Sequence, residues 1–176
     1  EQIVADIIEN VKQNGDKAVK EYCLKFDKAQ LDSLLVSPEE MAEAKALVEP
    51  EFFDILEKAA ENIRVFHEKQ KRNSFIINDR PGIVMGQKVI PMDKAGLYVP
   101  GGTAAYPSTV LMDAIPAKIA GVKEVVIVTP PNAEGKINPY ILAAAQVAGV
   151  DKIFKTGGAQ AIAALAFGTE SIPKVD

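Results

Sequence analysis

The chain has 176 residues, 48% of them hydrophobic and 25% charged, and a formal net charge of −4. That length and composition suit one compact soluble core with an appendage. The acidic balance and the lack of any Lys/Arg cluster exclude nucleic acid and anionic membrane surfaces as partners, and no apolar run approaches the roughly 20 residues of a membrane span. One cysteine and one histidine exclude an internal disulfide and a closed zinc site built from nitrogen and sulfur ligands. A lone cysteine fits a reducing cytoplasm. The chain opens directly in an acidic amphipathic pattern, so no leader peptide is expected.

Residues 1–72 carry helical periodicity. Ile3, Ile7, Ile8 and Val11 recur at helical spacing, and Asn14-Gly15 closes that helix. Asp16 is placed to cap a second helix holding Ala18, Val19, Tyr22, Cys23 and Phe26. Ser37-Pro38-Glu39-Glu40 has the form of a capping box with proline at the first helical position. Pro50 opens a long helix reaching about Arg72, with Phe52, Phe53, Ile55, Leu56, Ile63 and Phe66 on its apolar side. Cys23 sits mid-helix among apolar neighbours and reads as a buried structural thiol rather than a nucleophile. His67 stands apart from any other histidine or cysteine and reads as a helix-surface residue.

From residue 73 the texture changes. Ser74–Ile77, Gly82–Met85 and Lys88–Pro91 are short β-type runs separated by turn residues, which predicts a small antiparallel ribbon over 73–95. From Gly96 a strand–loop–helix rhythm repeats three times. Strand 96–99 precedes a helix from Ser108 to about Ala120, kinked at Pro116 and closed by Gly121. Strand Val125–Thr129 precedes a helix capped by Asn138 and ended by Gly149. Strand Lys152–Lys155 precedes a helix over Ala159–Phe167. Fully apolar strands alternating with small-residue helices predict a parallel sheet covered on both faces.

The three strands all end in proline or glycine: Pro100-Gly101-Gly102, Pro130-Pro131-Asn132 and Thr156-Gly157-Gly158. Glycines at a strand end let a ligand approach the backbone, and a following helix start favours anions. Two glycine pairs at equivalent positions suggest that both approach one ligand. Tyr98 ends the first strand, and Gln160 follows the second pair with an amide that both donates and accepts. The pair is thus predicted to flank one crevice at the strand ends. The dinucleotide fingerprint G-x-G-x-x-G is absent. The residues by themselves lead to an α/β chain with a crevice at its strand ends.

The segments G-L-Y-V-P-G-G at 96–102, P-S-T-V-L-M-D-A-I-P-A-K-I-A-G-V at 107–122 and T-G-G-A-Q-A-I-A-A-L-A-F-G-T-E-S-I-P-K-V-D at 156–176 resemble the histidinol dehydrogenase family. N-G-D-K-A-V-K-E-Y at 14–22 and K-F-D at 25–27 are similar to the same family's helical start. The resemblance runs over essentially the whole chain, which looks like the N-terminal portion of longer family members. It implies N-terminal helices over 1–72, a linking β ribbon over 73–95 and a three-layer, Rossmann-like βαβαβα unit over 96–176, related to that of aldehyde dehydrogenases. It further implies an NAD- and zinc-dependent oxidation of L-histidinol through the aldehyde to L-histidine, the last step of histidine biosynthesis, by a cytoplasmic homodimer.

On that resemblance Tyr98 and Gln160 match NAD contacts, and Pro100, Gly101 and Gly102 are cofactor neighbours by adjacency. Ser108 either faces the substrate or simply caps its helix. The family's zinc ligands and its acid–base pair fall beyond Asp176, so the chain alone is expected to be catalytically silent. Two alternatives stay open. An aldehyde dehydrogenase-like enzyme shares the strand–T-G-G–helix element but needs a cysteine nucleophile in a loop, which Cys23 is not. A non-catalytic NAD-binding or assembly module would keep the fold without the chemistry.

Overall fold

The computed structural model describes residues 1–101 and 105–176. Gly102, one of the residues singled out above, lies outside the described residues.

Helix α1 (Gln2–Tyr22) runs past Gly15, whose backbone leaves the helical region there (φ 51°, ψ −132°). A side chain is strained at such a φ, so glycine serves the break the sequence signals. Asp16 is not the cap predicted for the second segment. Its carboxylate Oδ1 accepts from the Thr169 hydroxyl at 2.5 Å and from Ser171 N–H at 3.3 Å, while its own N–H donates to Glu170. The kink therefore anchors the segment 169–171 to α1. A π-helical turn, Cys23–Asp27, continues α1 and ends at Lys28 in the left-handed region.

Helix α2 (Pro38–Leu47) begins with the complete capping box. Ser37 Oγ accepts from Glu40 N–H at 3.2 Å, and Glu40 Oε2 accepts from Ser37 N–H at 2.9 Å. Helix α3 (Pro50–Glu68) stops before the predicted Arg72, and Leu56 and Ala60 are its buried residues. Strands β1 (Phe75–Arg80) and β2 (Ile83–Gln87) pair antiparallel around a turn at Gly82. Lys88–Pro91, predicted as a third run of the ribbon, forms no strand. Val89 N–H instead donates to Ser74 Oγ at 2.9 Å, outside any strand ladder.

The remaining elements alternate. Strand β3 (Lys94–Tyr98) leads to α4 (Pro107–Ala120), β4 (Glu124–Thr129) to α5 (Pro139–Ala148), and β5 (Lys152–Lys155) to α6 (Gly158–Phe167). The three strands form a parallel sheet in the order β3-β4-β5, with Tyr98 opposite Val128 and Val128 opposite Phe154. Pro116 lies inside α4 without ending it, and Gly121 closes the helix in the left-handed region. Asn138 caps α5, its Oδ1 accepting from Tyr140 N–H at 2.9 Å.

Strand alternation sorts the core into two layers. Val125, Ile127 and Ile153 face α2, α3, α4 and α5. Val126, Val128 and Phe154 face Val11, Val19 and Cys23 on one helix layer together with Ala161, Ala164 and Leu165 of α6. A sheet apolar on both faces needs such cover, and the small residues of α5 and α6 let the helices lie close. Residues 34–36 strap the outer edge of β5, through Val36 N–H to Ile153 O at 2.9 Å and Lys155 N–H to Leu34 O at 2.7 Å. The architecture is α/β, with N-terminal helices and a small antiparallel ribbon leading into a helix-covered parallel sheet.

Candidate functional site

The site forms where the strands stop. Parallel strands in register end together, so the loops after β3, β4 and β5 meet at one edge of the sheet. Tyr98, the last residue of β3, is partly exposed, and its hydroxyl accepts from Gly158 N–H across a long 3.4 Å. Gly158 opens α6 with φ +66°, a value that favours glycine. Gln160 is buried two residues later, and its Oε1 lies 2.8 Å from where a Cβ on Gly158 would sit. The bare Cα of Gly158 is therefore the cradle in which the Gln160 amide folds back over the start of α6. Tyr98 hydroxyl, Gly158 N–H and Gln160 amide converge on one corner.

Pro100 and Gly101 stand on the other side of the same strand ends. They line a cleft of about 430 Å³ between the loop after β4, the start of α5 and the length of α2. Its walls are mostly apolar, among them Val36, Leu47, Pro131 and Ile141, with Glu40, Glu43, Thr129, Asn132, Lys136 and Asn138 as polar members. Tyr98 and Gln160 are not among the residues that line this cleft. The crevice predicted from sequence is thus not one space shared by all of these residues: Pro100 and Gly101 line the cleft, and the Tyr98–Gly158–Gln160 corner lies outside it. Ser108 is the second residue of α4 and exposed. The cap position belongs to Tyr106, with no side-chain hydrogen bond there, so the helix-cap role considered for Ser108 does not hold.

Below the corner lies a polar cluster that sequence reasoning missed. Lys155, almost fully buried at the end of β5, holds both Glu40 carboxylate oxygens at 3.1 and 3.2 Å. Glu40 thereby joins the α2 cap to β5. Cys23 donates from its thiol to Lys155 O at 3.5 Å. Burial pushes that thiol above its ordinary value, the Thr156 hydroxyl works against this and the Asp27 charge adds to it, so Cys23 is a thiol and not a thiolate nucleophile. Asp27 is likewise raised by burial. The signal for the Lys155–Glu40 pair is a lysine closing a strand that is otherwise buried, opposite a capping-box glutamate 115 residues earlier. No local pattern joins the two. His67 lies on α3, bonded to Gln70 at 2.7 Å and edge-on to Phe66, as a helix-surface residue should be.

The family model described as histidinol dehydrogenase matches residues 1–176. The histidinol dehydrogenase of Clostridium acetobutylicum is 59% identical over 170 residues, which cover 97% of this chain and 39% of the relative. That of Lactiplantibacillus plantarum is 56% identical over 176 residues, covering 100% and 41%. The crystal structure of histidinol dehydrogenase from Elizabethkingia anophelis superposes with a TM-score of 0.95 at 44% identity, over 99% of this chain and 40% of that one. The chain spans about two fifths of the length of the curated relatives it matches. With every residue matched by one family and the fold shared with a solved member, this chain belongs to the histidinol dehydrogenase family.

Proposed function

We propose that the corner formed by Tyr98, Gly158 and Gln160 is part of an NAD site, and that this chain contributes it to a histidinol dehydrogenase. The proposed reaction is the two-step oxidation of L-histidinol through the aldehyde to L-histidine. The observation that supports the reading is the meeting of a strand-end tyrosine, a helix-start N–H and a buried amide around one bare Cα. These groups fit a polar cofactor. The Tyr98 hydroxyl and the Gln160 amide both donate and accept, and the start of α6 favours negative charge. Gly158 leaves room for close approach, with Pro100, Gly101 and Gly102 as neighbours by sequence and Ser108 exposed at the start of α4.

Bound NAD supplies the hydride acceptor for the alcohol carbon. The part of this chain is to bind and orient that cofactor and to keep water from one side of it. Zinc, which the family resemblance also implies, finds no fit here. No three His, Cys, Asp or Glu come together among the described residues, and Cys23 and His67 stand on separate elements. No step is therefore routed through it. The same reading makes the whole protein a cytoplasmic homodimer acting on a small molecule. No helix among the described residues is long and apolar enough to cross a membrane.

Calorimetric titration of the chain with NAD, beside its Tyr98→Ala variant, tests the reading. Saturable binding that weakens about tenfold in the variant supports it, a loss of about 1.4 kcal/mol. Equal binding by both, or by neither, removes Tyr98 from the cofactor site. Histidinol and NAD together are expected to give no NADH with this chain alone, because the family resemblance assigns the acid–base pair to a part of the family outside the segment this chain matches. NADH formation would contradict that division of labour.

A further inference from the structure

The geometry points to Pro130 as the spacer that sets the gap between the loop after β3 and the loop after β5, and so as a positioning residue for the Tyr98–Gly158–Gln160 corner. The inference deepens the NAD reading above and rests on it for the ligand, though not for the spacing itself.

β4 is the middle strand, and Pro130 is the first residue beyond it. One glycine from each flanking loop lies against its ring. A Cβ on Gly101 would stand 2.7 Å from Pro130 Cγ, 3.1 Å from Cδ and 3.0 Å from its carbonyl oxygen. A Cβ on Gly157 would stand 2.7 Å from Pro130 Cβ and 3.0 Å from both Cγ and Cδ. Contacts under 3.0 Å are essentially never made by real Cβ atoms. Neither position demands glycine for its backbone, since Gly157 is extended (φ −127°) and Gly101 has no left-handed φ. Space is what each requires. The proline ring cannot swing aside as a flexible side chain would, because it is closed onto its own backbone.

Gly157 and Gly158 thus divide their work, and Gly101 matches Gly157. The first glycine of each pair, Gly101 and Gly157, clasps the ring of Pro130. Gly158, the second of its pair, opens α6 and carries the N–H that meets Tyr98. The separation of the two loops is one proline ring thick plus a close contact on each side. Tyr98 lies two residues before Pro100-Gly101, and Gly158 directly after Gly157. A methyl group on either clasping glycine forces its loop away from Pro130 and carries Tyr98, or Gly158 with Gln160, out of register. A displacement of a few tenths of an ångström matters where the bridging contact is already 3.4 Å.

Compensation tests this. Gly157→Ala and Gly101→Ala are each made alone and combined with Pro130→Ala and Pro130→Gly. NAD affinity is read by calorimetry, and the register of the corner by the Gly158 amide resonance in NMR spectra without ligand. Each alanine alone is expected to weaken NAD binding about tenfold and to shift the Gly158 resonance. Pro130→Ala removes Cγ and Cδ but keeps Cβ, so it should rescue Gly101→Ala and fail to rescue Gly157→Ala. Pro130→Gly removes the whole ring and should recover part of both. Rescue of neither by either substitution overturns the proposal, as does an unshifted Gly158 resonance in both alanine variants. If the unmodified chain binds no NAD, the cofactor reading falls while the resonance pattern still decides the spacing. Should Gly157→Ala not fold, the Gly101→Ala pair decides alone, and failure of Pro130→Ala to rescue it overturns the claim.

Discussion

The parallel sheet and the β1–β2 ribbon are built from equally apolar strands but stand in opposite surroundings. Val125, Val126, Ile127 and Val128 of β4 are fully buried, whereas every residue of β1 and β2 is exposed, Ile76 at 76% and Val84 at 73%. Both have β-type sequence, so strand propensity does not separate them. What separates them is cover. The sheet is sandwiched between α1 with α6 and the layer of α2 to α5, while no helix packs on the ribbon among the described residues. A two-stranded ribbon exposed along both strands gains little from burial and is only marginally stable by itself. The sheet carries the chain's stability and positions the Tyr98–Gly158–Gln160 corner.

Four expected outcomes press on that contrast. The largest is in the sheet. Phe154→Ala removes the largest fully buried side chain from between α1 and α6, and is expected to cost about 4 kcal/mol in chemical denaturation. A loss below about 1 kcal/mol would mean that the sheet is not the stabilising layer. Next, Lys155→Ala strands Glu40 beside apolar walls and should cost about 3 kcal/mol, while Lys155→Met, which keeps the packing of the stem, should cost less. Equal losses would show that the packing of the stem contributes nothing beyond the ion pair.

The third outcome is a pH dependence at the sheet's lower edge. Burial pushes Asp151 upward, but Lys118 and the Val125 N–H together outweigh it and hold the carboxyl below its ordinary 3.8. A depressed native value means that the contribution is complete above about 3.8 and is lost as the pH falls through the lower, native value. Acid unfolding of Asp151→Asn should thus depend less steeply on pH below 3.8 than that of the unmodified chain. Parallel curves would contradict the role given to this carboxylate. The smallest effect belongs to the ribbon. Val84→Lys is expected to leave stability within about 0.5 kcal/mol and to reduce self-association in light scattering. Strong destabilisation would show that the ribbon's apolar face is packed after all.

Local signals carried much of the fold. The capping box at Ser37–Glu40, the Asn138 cap and the glycines at 121 and 149 were readable because each is a chemical requirement met within four residues. Strand β4 and the centre of β5 were readable because a strand is apolar where both of its faces are covered, as at Val125–Val128 and Ile153-Phe154. Features set by distant partners were not readable. Asp16 has cap chemistry but meets Thr169 and Ser171, more than 150 residues on. Lys88–Pro91 has strand composition but joins no strand ladder among the described residues, and Leu34-Leu35-Val36 pairs with β5 through an apolar run only three residues long. In the corner, Tyr98 and Gln160 stood out through strand-end logic and family resemblance. Pro130 did not, because its role exists only once three loops meet.

The most direct measurement is an NMR titration of the ¹⁵N-labelled chain with NAD, following the Gly158 amide with Gln160→Ala as comparison. The account predicts a saturable shift of the Gly158 resonance at NAD concentrations that move few amides outside the strand-end loops, and a weaker response in the variant. An unmoved Gly158 resonance in the presence of NAD, or a shift identical in Gln160→Ala, would contradict it.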